Sequence, residues 1–321
     1  MSSESISDLT RKELSLKIKK LCLEHGFLKV GIAKVEKLSK EKIYLEKWLS
    51  EKKNADMHWL ASPDSVEKRI DPTKLTNGQD IKSVISLAYL YDTPFEHSED
   101  PSIPKISRYA WGKRDYHKVL KKILKEVCSE ISLLDTSITT RAYVDDGPVM
   151  EKIWAQRAGI GWQGKHTNIL NKEYGSFFFL CEIFISKELD YDEPVEDLCK
   201  SCRLCLESCP TGAIYEEYKL DANLCISYLT IENKGDIPET IDLNGWIFGC
   251  DVCQDVCPYN SAKIFTSNEN FFPRKELLTN TYEDDQKMSE EEFNNFFEGT
   301  PVRRTKYEGW KRNLLKNKKS S

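Results

Sequence analysis

The stretch CKSCRLCLESCP (199–210) holds four closely spaced cysteines and ends in proline: Cys199, Cys202, Cys205, Cys209 and Pro210. Cysteines three residues apart in a tight loop can direct three sulfur atoms at the corners of one iron–sulfur cluster. The proline turns the chain, so that the fourth cysteine points away from the first three. The stretch therefore predicts a redox domain built around iron–sulfur clusters.

A second set of cysteines repeats the pattern, because GCDVCQDVCP (249–258) ends in the same Cys-Pro pair and Cys225 lies upstream of it. Both runs have the spacing of bacterial two-cluster ferredoxins, in which the cysteine before the proline binds the opposite [4Fe–4S] cluster. By that rule, the predicted ligands of one cluster are Cys199, Cys202, Cys205 and Cys257. The predicted ligands of the other are Cys209, Cys225, Cys250 and Cys253. A pair of zinc sites is the alternative, although zinc sites usually take two separated CxxC pairs.

The rest of the composition favours metal ligation over disulfides. The chain has 321 residues and 11 cysteines, and its charged N-terminus lacks the apolar stretch of a secretory signal. The longest apolar run, 177–181, is interrupted by Glu182 and is too short to cross a membrane. We therefore expect a cytoplasmic protein that does not associate with membranes, and a reducing compartment in which disulfides are rare. The scattered Cys22, Cys128 and Cys181 are expected to be small buried hydrophobic residues.

The net charge of −5 does not indicate nucleic-acid binding, but the C-terminus is strongly basic. Its only acid is Glu308, and its basic residues are Arg303, Arg304, Lys306, Lys311, Arg312, Lys316, Lys318 and Lys319. Such a segment can bind phosphate groups. A solvated, frayed terminus is the equally simple alternative.

Hydrophobic periodicity predicts helices and strands that alternate along the first part of the chain. Helices are expected in 1–60 and from Tyr116 to Leu134, and strands in 27–35, 83–91 and 177–186. This order indicates an α/β or α+β fold. The predicted domains are an α/β ligand-binding domain (1–190), a ferredoxin-like domain (191–262) and a helical C-terminal segment with a basic tail (263–321).

Two further segments could form a site in the α/β domain. Asp145 and Asp146 follow a predicted strand and precede Gly147-Pro148, at a position where such folds often bind ligands. Neighbouring residues of an extended segment face opposite ways, so at most one of these acids should enter a cleft. A turn with helix-capping acids is the alternative. The glycine-rich loop 159–166 matches neither a Rossmann fingerprint nor a phosphate-binding loop, and a lone histidine such as His166 is more often structural.

Several segments together resemble the epoxyqueuosine reductase family. They are RYAWGKRDYH (108–117), VDDGPVMEKIWAQRAGIGWQGKHT (144–167), YGSFFFLCEIF (174–184), CKSCRLCLESCPTGAI (199–214), LDANLCISYLTIE (220–232), GCDVCQDVCPYN (249–260) and GTPVRRTKYEGWKRNLLKN (299–317). The combination of SYLTIE with GCDVCQDVCP is more discriminating than either cysteine set, and the resemblance extends over nearly the whole chain.

The resemblance implies a specific reaction and specific cofactors. Members of this family bind cobalamin between an α/β domain and a ferredoxin-like domain, and two [4Fe–4S] clusters pass electrons to the cobalt. The reduced corrin removes the epoxide oxygen of epoxyqueuosine at the wobble position of tRNA, completing queuosine. The implied partners are this tRNA and an electron donor that the sequence does not identify, and we expect a monomer.

The resemblance also implies roles for individual residues. The acidic proton donor of the family falls on Asp145, which would protonate the alkoxide left by epoxide opening. The implied cofactor contacts are Arg69, Tyr109, Asp145, Lys165, Thr167 and Ile169, with Ser227 and Thr230 near both cofactor and substrate.

The chain departs from the family pattern in three places. It has Gly-Lys-His-Thr at 164–167 where Gly-Lys-Asn-Thr is usual, and Asp146 where a small residue is usual. The helical-repeat extension of some members is not expected, so the core and the basic tail should contact the tRNA phosphates. A corrinoid reductive dehalogenase and a ferredoxin-type electron carrier with an added domain are the alternative functions.

Overall fold

The computed structural model describes residues 9–76 and 80–318, with only the backbone of Lys318. The strands are β1 (Lys29–Lys34), β2 (Ser83–Leu90), β3 (Lys105–Ile106), β4 (Thr140–Tyr143), β5 (Trp162–Gln163), β6 (Ile169–Leu170), β7 (Phe178–Ile185) and β8 (Trp246–Phe248). The helices of the first half are α1 (Arg11–Glu24), α2 (Ser39–Ser50), α3 (Pro63–Ile70), α4 (Tyr116–Leu134) and α5 (Glu151–Arg157). Those of the second half are α6 (Leu204–Glu207), α7 (Ile226–Ile231), α8 (Val252–Asp255), α9 (Glu276–Thr279), α10 (Tyr282–Lys287), α11 (Glu290–Phe296) and α12 (Lys306–Lys318).

A four-stranded sheet in the order β1-β2-β7-β4 forms the centre of the first domain. Each of its three strand pairs is antiparallel, with Ser86 on β2 and Tyr143 on β4 both opposite Glu182 on β7. The fold is therefore α+β, and the α/β alternative is wrong. Helices do separate these strands along the sequence, but every neighbour in the sheet runs in the opposite direction, so no parallel crossover unit forms.

Helices cover both faces of this sheet, which explains why its central strands are almost entirely buried. All residues of β2 are buried, and β7 is buried apart from Leu180, which is half-buried. Helices α1 and α4 pack on one face and α5 on the other. Helix α4 has the predicted bounds because its apolar side chains recur every three to four residues, at Leu120, Leu124, Val127 and Ile131, and Asp115 caps its first turn.

A separate core joins segments that are distant in the sequence. Strand β3 pairs in parallel with β8, and Ile106 and Trp111 share a hydrophobic cluster with Phe248, Phe293 and Trp310. The predicted domain boundaries at 190 and 262 stay predictions, but this core crosses both of them. The C-terminal segment is therefore part of the same body as the cysteine-rich region.

The basic C-terminus is a packed helix, and the prediction of a solvated, frayed terminus is wrong for the described residues. Trp310 and Leu314 of α12 are fully buried against β8 and α7. Lys319 lies outside the described residues.

Two of the three scattered cysteines are buried as predicted. Cys22 and Cys181 are both fully buried in the core, whereas Cys128 is half-buried and packs against the same cluster. Burial raises the pKa of the Cys22 thiol to about 12, so this thiol stays protonated and unreactive. None of the described helices is both long and apolar enough to span a membrane.

Candidate active site

The cysteine-rich region brings its thiols together in two sets. The thiol of Cys205 interacts electrostatically with those of Cys199, Cys202 and Cys257. The thiol of Cys253 interacts with those of Cys250, Cys225 and Cys209. Burial, reinforced by the other thiols of each set, raises the pKa of Cys205 to about 11 and raises that of Cys253 well above its ordinary value. This grouping is the one that the crossover rule predicts, with one cysteine exchanged between the two loops.

Buried polar contacts support the loop of the first set. The Lys165 ammonium donates hydrogen bonds to the carbonyl oxygens of Lys200 (2.5 Å) and Cys202 (3.0 Å) and to Glu217 Oε1 (2.9 Å). The indole N–H of Trp162 donates to Cys199 Sγ at 3.4 Å. These protein contacts hold the loop by themselves. A hydrogen bond donated to a thiolate sulfur is one of the factors that set the reduction potential of an iron–sulfur cluster.

The loop of the second set depends on a close backbone approach at Gly249. Its φ is +70°, and a Cβ at this position would lie 2.5 Å from Ser107 Cβ. Its N–H donates to Thr230 Oγ1 at 2.9 Å. Two residues further on, the buried Asp251 accepts hydrogen bonds from Ser107 Oγ and from the Arg108 N–H. These contacts hold the loop against the segment around β3.

A cavity of about 420 Å³, open to solvent, lies between the sheet and the cysteine-rich region. All four thiols of the second set line it, together with apolar groups of the sheet domain such as Phe178, Phe179 and Ile169. None of the first set is among its lining residues, and Cys202 of that set is exposed at the surface. The first set therefore lies toward the surface and the second set lies at the cavity.

Asp145 lines the cavity from the loop that follows β4. It has a φ of +48°, which is uncommon for a residue other than glycine. Two neighbours hold it there: its N–H donates to Glu151 Oε1 at 2.6 Å, and the Tyr116 hydroxyl donates to its Oδ2 at 2.5 Å. The side chain is 65% exposed at the open mouth of the cavity, so the pocket around it becomes dry only when a ligand covers it.

Asp146 points elsewhere, so only one of the two acids enters the cavity, as predicted, although the segment is a bend and not the extended chain assumed for that prediction. Its carboxylate pairs with Lys121 Nζ at 2.6 Å and accepts the N–H of Val144 at 2.9 Å. It is not among the cavity-lining residues. Of the two adjacent acids, only Asp145 is available to a ligand.

The structure brings some of the predicted cofactor contacts to the cavity and not others. Besides Asp145, the predicted residues that line it are Tyr109, Thr167, Ile169 and Ser227. Lys165 does not, because its ammonium points into the first cysteine loop. Thr230 is fully buried, and its hydroxyl donates to the Ile226 carbonyl at 2.7 Å. Arg69 is half-buried beside the cavity and donates to the Val149 carbonyl at 3.0 Å.

His166 also lines the cavity and is only 3% exposed. Its Nδ1 accepts the N–H of Asn168 at 3.1 Å, which leaves the proton of the neutral ring on Nε2. Nε2 is buried without a hydrogen-bond partner in the described part of the chain. Burial, with the nearby Lys152 charge, lowers the pKa of this imidazole to about 4, so the ring is neutral. The ring thus offers one N–H donor to a ligand.

Sequence reasoning missed three ionisable groups, two that line the cavity and one that lies behind it. Glu151 and Lys152 line it, and Glu182 is fully buried on β7 behind Glu151. Burial raises the pKa of both glutamates and lowers that of Lys152. The signal that could have revealed Glu182 is the acid that interrupts the apolar run 177–186.

The basic tail contributes fewer free charges than its composition suggests. Arg312 donates to the carbonyl oxygens of Leu229, Asn233 and Gly235, and therefore acts as a structural clamp. Among the described residues of the tail, the exposed basic side chains are those of Arg303, Arg304 and Lys306. Arg304 interacts electrostatically with Asp145 and Tyr109, which places this exposed group near the cavity mouth.

Comparison with known proteins gives matches over nearly the whole chain. Residues 198–260 match a family model described as "4Fe-4S double cluster binding domain", and residues 69–146 match "Epoxyqueuosine reductase QueG, DUF1730". The chain is 42% identical over 307 residues to the epoxyqueuosine reductase of Cellulophaga algicola, a match that covers 95% of this chain and 98% of that protein. It is 40% identical over 312 residues to the Escherichia coli epoxyqueuosine reductase, covering 95% of this chain and 81% of that protein.

Two solved structures have the same fold. One is an epoxyqueuosine reductase with an epoxyqueuosine-modified tRNA-Tyr stem loop, with a TM-score of 0.84 and 29% identity over 96% of this chain and 81% of that one. The other is the Bacillus subtilis epoxyqueuosine reductase with its catalytic aspartate loop swung out of the active site. Its TM-score is 0.85, with 28% identity over 96% of this chain and 82% of that one.

Proposed function

The chain belongs to the epoxyqueuosine reductase family, and we propose that it removes the epoxide oxygen of epoxyqueuosine at the wobble position of a tRNA. The observation that carries the proposal is the cavity, because it is lined both by the second thiol set and by Asp145. A reductive step on an epoxide needs electrons and a proton at one place, and these two groups are suited to supply them.

Each thiol set would hold one [4Fe–4S] cluster. The grouping of the thiols supports this, since each set contains four cysteines and takes one of them from the other loop. The order of the two sets, from the exposed Cys202 to the cavity, gives electrons from an external donor a path into the cavity.

The residues around the cavity fit cobalamin. Its lining exposes more apolar than polar surface, and the cavity is open to solvent. The His166 Nε2–H lacks an acceptor among the described residues, as expected of a donor that serves a ligand with polar edges. Tyr109, Thr167, Ile169 and Ser227 would hold the corrin. Bound there, cobalamin would supply a strongly reducing, nucleophilic metal centre.

Arg69, Lys165 and Thr230 would act through neighbouring groups. Arg69 fixes the Val149 carbonyl and lies in the field of Glu151 and Asp145. Lys165 holds the first cysteine loop, and Thr230 anchors Gly249 beside Cys250. In this proposal these residues position the cluster loops and the acid loop without touching the corrin.

Asp145 would donate the proton that the opened epoxide requires. The Tyr116 hydroxyl occupies Asp145 Oδ2 and orients the carboxyl group, while Glu151 holds its backbone. Bound substrate would cover the exposed side chain and exclude water from it, which favours transfer of a proton over ionisation. A catalytic aspartate loop also occurs in the Bacillus subtilis relative.

The tRNA would approach the cavity mouth beside α12. Arg304 is exposed near this mouth but pairs with Glu232, and Arg303 and Lys306 are exposed close to it in the sequence. Phosphate groups bind such side chains in a salt-dependent manner. Lys311, Arg312 and Lys316 are occupied by backbone carbonyl groups of the body, so they contribute structure more than phosphate contacts.

Asp145→Ala tests the assignment, with Asp146→Ala as a matched control. We expect Asp145→Ala to keep the iron content and the corrin absorption of the wild type but to lose turnover by about 10²–10⁴-fold. Asp146→Ala should keep turnover, since that carboxylate points away from the cavity toward Lys121. The assay is conversion of an epoxyqueuosine stem loop to queuosine by the reduced protein. Undiminished activity of Asp145→Ala, or wild-type protein that converts no stem loop, contradicts the proposal.

A further inference from the structure

Glu151 and Glu182 form a buried pair of carboxyl groups directly behind the cavity, here named the glutamate pair. The two carboxyl groups interact electrostatically, and Glu182 Oε2 is buried without a hydrogen-bond partner among the described residues. A buried, unpartnered carboxylate oxygen beside a second carboxyl group favours a proton held by the pair. Ser86 Oγ donates to Glu182 Oε1 at 3.2 Å, and the Asp145 N–H donates to Glu151 Oε1 at 2.6 Å.

The glutamate pair connects the interior of the sheet to the cavity. Side chains of β7 alternate between faces, and Phe178 and Leu180, on the same face as Glu182, both line the cavity. Helix α5 packs on this face and brings Glu151 to the cavity lining. The pair is therefore open to the cavity at Glu151 and closed to solvent at Glu182, which is 0% exposed.

The surroundings of the pair contain charges of both signs. Asp145 and Asp146 face it from the loop after β4, Arg69 faces it from α3, and Lys152 follows Glu151 on α5. The net effect of burial and of the neighbouring acids favours the protonated form of the pair.

A structural role alone gives little reason for this arrangement. Burying an acid on a central strand is unfavourable, and glutamine or an apolar residue would fill the same space with a smaller desolvation penalty. The hydrogen bond to the Asp145 N–H needs only the Glu151 oxygen. Storage of a proton beside a site of reduction would explain why Glu182 is present in addition to Glu151.

The chemistry of the proposed function, on which this inference rests, requires more than one proton. Removing the epoxide oxygen as water breaks both C–O bonds, forms the C=C bond, and takes up two electrons and two protons. The two electrons would come from the reduced cofactors, and Asp145 would supply one of the two protons. We propose that the glutamate pair stores the second proton and releases it through Glu151 into the cavity, leaving both glutamates ionised until solvent returns a proton after product release.

The test uses Glu182→Gln in the full-length holoenzyme. Glutamine keeps the acceptor for Ser86 Oγ and a donor toward Glu151, but it cannot give up a proton. We expect its single-turnover rate with the modified stem loop to fall about tenfold or more at neutral and higher pH, within the range of general acid effects. Iron content, corrin absorption and stem-loop affinity should stay within about twofold of the wild type. The solvent deuterium isotope effect should change as well, which a merely structural role would not cause.

Asp285→Asn is the matched control. Asp285 is also a buried acid, whose pKa burial raises to about 6, but it lies on α10 and does not line the cavity. Its substitution should leave the pH profile of turnover unchanged. A Glu182→Gln enzyme with the wild-type rate and pH profile would overturn the proposal.

Two measurements do not depend on turnover. In wild-type protein, infrared spectra should show a protonated carboxyl band at neutral pH that shifts in D₂O and shifts again when the glutamate carboxyl groups are labelled with ¹³C. Because the pair has a raised pKa in the folded state, it lowers stability as pH rises above the ordinary value of 4.5. As pH rises above 4.5, the thermal unfolding midpoint of Glu182→Gln should therefore fall less than that of the wild type. If the protonated carboxyl band is absent, or if Glu182→Gln leaves the pH dependence of the unfolding midpoint unchanged, the stored proton is refuted even if the enzyme reduces epoxyqueuosine. If both signals are present but the wild type is inactive, only the proposed reaction is refuted.

Discussion

Replacement of Lys165 by methionine distinguishes between two roles for this residue. The family resemblance implies that Lys165 contacts the corrin, whereas in the structure its ammonium group points into the first cysteine loop. The side chain is 4% exposed and has three partners, the carbonyl groups of Lys200 and Cys202 and the carboxylate of Glu217. Methionine fills a similar volume but donates no hydrogen bond.

The magnitude follows from what the substitution leaves unpaired. Each of these two hydrogen bonds has a charged donor, whose loss costs about 1.5–3 kcal/mol, and the lower value applies because Lys200 and Cys202 are exposed. Glu217 is 35% exposed and also pairs with Arg203 at 3.3 Å, so the effect on this carboxylate is small. The two carbonyl groups together then destabilise the loop by about 3 kcal/mol, which corresponds to a factor of roughly 100 in the equilibrium between the held and released loop.

The assay is iron release to a chelator under anaerobic conditions. We expect half of the iron in Lys165→Met to leave about 100-fold faster than in the wild type, because only the first cluster is deprived of its support. The other half should leave at the wild-type rate. Lys172→Met, at an exposed position in the same region, is the control and should not change either phase. Weakened corrin absorption with normal iron release would refute the reasoning and restore a cofactor contact.

Two further predictions concern the second loop and the tRNA surface. Gly249→Ala should lower the free energy of unfolding by about 2–5 kcal/mol in thermal or urea unfolding, because it combines a positive φ with a Cβ 2.5 Å from Ser107 Cβ. Gly212→Ala, which has a φ of +66° and no atom within 4 Å of the added Cβ, should be destabilised by only about 1–2 kcal/mol, and equal effects of the two substitutions would contradict the clash. Arg303→Ser with Lys306→Ser should weaken stem-loop binding and reduce its salt slope by about 1 for each phosphate that these side chains neutralise in the wild type. An unchanged slope in titrations from low to high salt, with α12 still folded by circular dichroism, would remove these side chains from the interface.

Truncation of the tail is not a clean test of tRNA binding. The basic composition of residues 303–321 makes their removal an obvious test of tRNA binding. Because Trp310 and Leu314 are fully buried, and Asn313 donates to the Thr230 and Ile247 carbonyl groups, the truncation would open the core beside the second cysteine loop. Point substitutions at exposed residues isolate the charge effect.

Much of the local structure could be predicted because it depends on nearby residues. Helix α4 has its predicted bounds, since an apolar stripe and the capping Asp115 both lie within or next to the segment itself. The prediction of an α/β first domain failed because strand direction is decided by which strands become neighbours. β7 lies between β2 and β4 and runs opposite to both, and nothing in the order of helices and strands reveals that.

The sequence by itself determined the thiol grouping, because short covalent spacings fix which sulfur atoms can converge. It allowed only one of Asp145 and Asp146 into a cleft, and the tertiary structure decided which, since Asp146 pairs with Lys121 and Asp145 lines the cavity. Only the tertiary structure decided that Lys165 turns into the cysteine loop, that His166 presents an N–H to the cavity, and that Glu182 meets Glu151. Those outcomes depend on burial and on partners contributed by distant segments, which set the direction of a flexible side chain and the protonation of a buried one.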